Sequence, residues 1–153
     1  MIMKKKNGFS LIELLITLVI LAVLGAVAIP IYTGYITGSA RSEAKSNLQT
    51  LSLLLETYFA DNNRYNPSAD GNATYNWQEP ATNNFSNTFP CGGTGFLPSF
   101  CPRQATSGTQ ANYDYQLVIA SATTYTATAT GVRGPVNGDS LTINQAGNKT
   151  GSW

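Results

Sequence analysis

The sequence predicts an α+β protein: one long N-terminal helix, apolar in its first half and amphipathic in its second, with a small antiparallel sheet. Three observations carry this. An apolar run fills residues 14–31, helical spacing of apolar side chains continues through residues 40–58, and period-two alternation recurs between residues 113 and 144. The chain has 153 residues, enough for one modest core.

The first element is the apolar run from Leu14 to Ile31, LLITLVILAVLGAVAIPI, interrupted only by Thr17, Gly25 and Pro30. At about 1.5 Å per residue it spans about 27 Å, close to the roughly 30 Å of a bilayer's hydrocarbon core. A soluble helix of this size shows a polar face, and this one has none. A chain this short cannot surround it on all sides, so a membrane or helix-bundle role is expected. Lys4, Lys5 and Lys6 precede the run, which places the N-terminus in the cytoplasm and the rest across the membrane. A secretory signal peptide is the competing reading. The run is longer than the usual apolar region of such a peptide, and no A-x-A-like site follows it. The small residue, Gly8, lies before it.

Glu13 stands at the start of this run. A carboxylate in an apolar helix costs a few kcal/mol unless it is paired or sits in the headgroup layer. Pairing requires a cation at the same depth, and cleavage after Gly8 would create one, the amino group of Phe9.

Composition excludes several functions. Only 11% of residues are charged, the net charge is +1, and there is no His. His-dependent triads and His-ligated zinc are therefore absent, and two cysteines cannot build a four-thiolate site. With residues 1–8 removed, six basic and eight acidic groups remain. Such a balance is no strong nucleic-acid signal, since phosphate binding calls for clustered Lys and Arg. No catalytic residue, metal ligand or cofactor is assigned, and an enzyme is not expected.

Lys4-Lys5-Lys6-Asn7-Gly8 followed by Phe9-Ser10-Leu11-Ile12-Glu13-Leu14 resembles the prepilin signature of type IV pilins and pseudopilins. The resemblance covers roughly residues 4–60; the remainder is similar in layout more than in motif. It implies the type IV pilin fold. It also implies a basic leader, residues 1–8, removed by a prepilin peptidase between Gly8 and Phe9, with methylation of the new Phe9 amine. Residues 9–35 would then anchor the subunit in the inner membrane and later line a filament core, with Glu13 paired to the Phe9 ammonium of a neighbour. Opposite charges meeting at low dielectric favour one axial register over slipped ones. Pro30 and Gly34 resemble the family's helix-weakening residues and are expected to kink the helix when subunits pack.

Residues 36–61 continue the helix. Ala40, Ala44, Leu48, Leu51, Leu55 and Tyr58 fall on one face, with Leu54 beside it. The stripe is a coiled-coil seam or, more commonly, a face packed on a sheet. Asp61-Asn62-Asn63 and Pro67 end it. Residues 62–112 are rich in Asn, Thr, Ser, Gly and Pro and read as an irregular loop. Its aromatics (Tyr65, Tyr75, Trp77, Phe85, Phe89, Phe96, Phe100) either contact a ligand or pin the loop to the head, the second being the commoner case. Cys91 and Cys101 lie in this loop, and an even pair in an exported segment reads as a disulfide. A redox pair is the alternative, with a spacing far wider than C-x-x-C. Many pilins carry their disulfide nearer the C-terminus than this pair.

Residues 113–153 read as antiparallel strands over 113–120, 124–130 and 140–144, with a tight connection at 121–123, turns at Asn137-Gly138 and 145–148, and a short last strand toward Trp153. The resemblance then implies a structural subunit of a type IV pilus, serving adhesion, twitching motility or DNA uptake. Its expected partners are copies of itself or other pilins, the prepilin peptidase, the membrane and the inner-membrane assembly machinery. The expected location is the inner membrane before assembly and an extracellular fibre afterwards. A pseudopilin of a type II secretion system is the alternative. Asp70, Asp114 and Asp139 are isolated in the sequence, so no acidic calcium loop of the kind seen in major pseudopilins is present.

Overall fold

The computed structural model describes residues 9–67, 72–77, 97, 100, 102 and 111–153. The chain forms two units, Met1–Ile36 and Thr37–Trp153. Helix α1 spans Leu11–Asn62 and is continuous through Pro30 and Gly34. It ends where Asn63 turns left-handed, with φ 54°, and donates its N–H to the Phe59 carbonyl at 2.7 Å. Asn adopts this conformation at lower cost than most residues because its short amide can bond locally.

Within the second unit, α1 buries Ala40, Ala44, Leu48, Leu51 and Leu55, steps of four, four, three and four residues that keep one face inward. Tyr58, at the far end of this stripe, is half-buried. The stripe packs into one core with an antiparallel sheet in the order β1-β2-β3-β4-β5. The strands are β1 Ala73–Trp77, β2 Tyr113–Ser121, β3 Thr124–Gly131, β4 Ser140–Asn144 and β5 Lys149–Gly151.

Alternation sorts the side chains. Tyr113, Tyr115, Leu117 and Ile119 of β2 point inward, as do Tyr125, Ala127 and Ala129 of β3 and Leu141 and Ile143 of β4. Leu117 pairs with Ala127, which pairs with Ile143; Tyr115 pairs with Ala129, which pairs with Leu141. Small residues on the central strand leave volume for the larger side chains beside them, as close packing demands. The outward positions of β3 are threonines, which suit a solvated sheet face.

The segment 62–112, read from sequence as irregular, contains β1. Its pairing with β2 (Thr74 with Val118, Asn76 with Gln116) makes it a strand, although its own apolar signal is only Tyr75 and Trp77. Tyr65, Tyr75, Trp77 and Phe100 are buried, and Phe100 meets the Trp77 ring edge-on at 4.8 Å. These four rings pin the segment to the core; Phe85, Phe89 and Phe96 lie outside the described residues. Between β3 and β4 the chain makes a short 3-10 helix, Gly134–Val136, before the Asn137-Gly138 turn. Gly131 opens this connection, where a Cβ would stand 1.9 Å from the Val136 carbonyl oxygen.

Candidate functional site

The first unit carries the feature that the chain itself leaves unmet. Between Phe9 and Tyr35 nearly every large apolar side chain is exposed, from 81% at Phe9 and 82% at Leu11 to 77% at Tyr35. Exposed apolar surface of this extent is found where lipid or another protein covers it. Its helical form follows from the lipid argument: only a helix or a closed barrel satisfies its own backbone in hydrocarbon. α1 is long and apolar enough to cross a membrane.

The two threonines of this stretch turn their hydroxyls back on the helix. The Thr17 hydroxyl donates to the Leu14 carbonyl at 2.8 Å, and that of Thr33 to the Pro30 carbonyl at 3.0 Å. Pro30 has no N–H, so the carbonyl four residues earlier lacks its usual helical donor. Among the described residues, nothing lies within 4 Å of where a Cβ would stand at Gly25 or Gly34, so no contact with them requires glycine there. Such residues let helices from different chains approach closely. Ala28, Ile29, Ile31, Tyr32 and Tyr35 line an open apolar recess on the same stretch.

Glu13 is exposed in the first turn of α1, where the helix dipole favours a negative charge. Phe9 lies just before that turn. Pro30 and Gly34 both lie inside the helix, four residues apart on one face. Gly8, Cys91 and Cys101 lie outside the described residues.

The head holds a second, polar constellation that sequence reasoning missed. The Arg41 Nε donates to Asp139 Oδ2 at 2.7 Å, and the Tyr113 hydroxyl donates to the same oxygen at 2.9 Å. The Ser152 hydroxyl donates to Asp139 Oδ1. The bond from Arg41, followed by those from Ser152 and Tyr113, holds the Asp139 carboxyl down at about 2. Further along α1, the Asn47 amide donates to the Tyr115 hydroxyl at 2.8 Å, and the Ser52 and Tyr125 hydroxyls are hydrogen-bonded at 2.8 Å. Burial pushes the Tyr115 phenol up to about 12, so it stays neutral. No local pattern announces the ties from α1, because each joins residues 68 or more positions apart in the chain. Among the described residues, no three Cys, Asp or Glu side chains converge to hold a metal ion.

Comparison with known proteins agrees with the N-terminal signature. Residues 3–29 match the family model of the prokaryotic N-terminal methylation motif, and residues 30–140 match that of the type IV minor pilin ComP, DNA uptake sequence receptor. The chain is 38% identical over 66 residues to the type IV major pilin protein PilA of Myxococcus xanthus (strain DK1622), covering 43% of this chain and 30% of that one. It is 34% identical over 67 residues to the type II secretion system core protein G of Pectobacterium carotovorum subsp. carotovorum, covering 44% of this chain and 43% of that one. It is 30% identical over 91 residues to the core protein G of Klebsiella pneumoniae, covering 60% of this chain and 64% of that one. The chain thus spans between 30% and 64% of the length of these curated relatives. No solved structure matches it.

Proposed function

Since the chain belongs to the type IV pilin family, with the ComP minor pilin model spanning residues 30–140, we propose that it is a filament subunit that polymerises through its N-terminal helix. The observation that carries this reading is the uncovered apolar stretch from Phe9 to Tyr35, headed by one carboxylate, Glu13. The methylation motif and the apolar helix fit a membrane-anchored precursor that becomes a pilus subunit. In the membrane, lipid covers the stretch. In a fibre, the same stretch of sister subunits replaces lipid at little hydrophobic cost, so packing and polar pairing decide order.

On this reading a prepilin peptidase cuts between Gly8 and Phe9, and the Phe9 amine is methylated. Glu13 then accepts the Phe9 ammonium of a neighbour. Alone, each charge is penalised in an apolar bundle; together they attract, and only one register brings them level. Pro30 and Gly34 supply the weak point at which the helix bends as subunits pack. Cys91 and Cys101 close a disulfide across about eleven residues, worth roughly 3 kcal/mol in the chain-entropy model.

The test is made in the native host with Gly8→Glu and Glu13→Gln. Gly8→Glu should leave the leader attached, seen as an unshifted mass at the N-terminus. Glu13→Gln should leave the protein in the membrane but remove it from sheared surface fibres. Wild-type levels in fibres for Glu13→Gln would overturn the pairing role.

Two finer roles each rest on one observation. The matching family description names a DNA uptake sequence receptor, which favours a minor pilin active in DNA uptake. The likeness to core protein G favours a type II secretion pseudopilin. Deleting the gene separates them: the first predicts a fall in transformation by added DNA with secretion intact, the second the reverse.

A further inference from the structure

Asp139 joins parts of the chain that are far apart in sequence. It follows the turn between β3 and β4, and its carboxylate takes donors from α1 through Arg41, from β2 through Tyr113, and from the residues after β5 through Ser152. These partners lie 98, 26 and 13 positions away. The side chain of Asp139 is 10% exposed and that of Arg41 is 41% exposed, so water shields the guanidinium more than the acid. The neighbouring ties between helix and sheet, Asn47 with Tyr115 and Ser52 with Tyr125, join neutral groups.

We propose that the Asp139 carboxylate is an acid-released latch that holds α1 against the sheet within the second unit by tying four segments of the chain together. As a carboxylate it has only acceptors to offer, and three donors use them. Protonation of one oxygen removes the charge that holds Arg41, whose guanidinium has no lone pair to accept the new O–H, and the bond from Tyr113 or Ser152 to that oxygen must reverse or be lost. Among the described residues, the charged or titratable side chains bonded to Asp139 are Arg41 from α1 and Tyr113 from β2, and both stay protonated in acid. Asp139 is therefore the group in the latch whose charge changes. Its carboxyl is held below its usual range, so the stabilisation is complete above about pH 4 and is lost as the pH falls toward about 2.

The experiment follows thermal unfolding of the full chain in detergent micelles by near-ultraviolet circular dichroism, from pH 6 to pH 2, for wild type, Asp139→Asn and Arg41→Gln. At pH 6 the wild type should melt about 4 °C or more above Asp139→Asn. That gap should close between pH 4 and pH 2, as the wild type loses what the variant never had. Arg41→Gln should begin its acid-induced fall at a higher pH than the wild type. No gap at pH 6, or a gap of equal size at pH 2, would overturn the latch. Should Asp139→Asn fail to fold, Arg41→Gln decides alone: an acid limb superimposed on that of the wild type overturns the proposal.

Discussion

Two sets of glycines in this chain contrast sharply in their surroundings. At Gly25 and Gly34 a methyl group would touch nothing within the chain, so the reason for glycine has to be sought in a neighbouring molecule. At Gly131 a Cβ would meet the Val136 carbonyl oxygen at 1.9 Å and its carbon at 2.8 Å. Backbone cannot swing aside as a side chain does, and the Gly131 N–H is also bonded to the Asp139 carbonyl at 2.8 Å. Gly131→Ala is therefore expected to cost about 1–3 kcal/mol in urea unfolding. Gly34→Ala, inside the helix with open space around it, should stabilise the isolated chain by about 0.5–1 kcal/mol. Any defect it causes should appear only in assembly.

At the scale of elements, α1 contains two kinds of helix in one continuous segment. Its first part is apolar on every side, and its large side chains are exposed among the described residues. Its second part has a single buried stripe, with Leu53 at 68% exposure on the opposite side from Leu51, which is fully buried. Leu51→Ala should cost about 2–5 kcal/mol, through lost transfer energy and the cavity left behind. Leu53→Ala should change stability by no more than about 0.5 kcal/mol. Denaturant titration of the two variants checks that the stripe, rather than general hydrophobicity, holds the helix to the sheet. The sheet shows the same economy: threonine occupies the water side of β3, while Tyr125, Ala127 and Ala129 face the core, so one strand serves solvent and helix.

For the molecule as a whole, a low charge density suits the filament role proposed above, since repulsion between like subunits is then small. Stability of the head rests on the core, on the ties from α1 to the sheet and, on our proposal, on the Cys91–Cys101 bridge. Exported protein should then resist alkylation at both cysteines until a reductant is added. Modification without reductant, detected by mass spectrometry, would count against the bridge.

The apolar anchor, the stripe on α1 and strands β2, β3 and β4 could be read from sequence because each is written in a local period, continuous for a membrane helix, near 3.6 for a packed one and two for a strand. The Lys, Gly, Phe and Glu signature was legible for a similar reason, since its parts lie within ten residues. Strand β1 was not, because two aromatic residues in a polar stretch make too short a pattern; it becomes a strand by pairing with β2, some forty residues on. Nor was Asp139, an isolated acid in the sequence that meets Arg41 only when the sheet folds back on the helix. Local periodicity determines which elements form and which face each one buries. Contacts across ninety-eight positions leave no trace in any short window, so the tertiary structure alone decides which side chains meet.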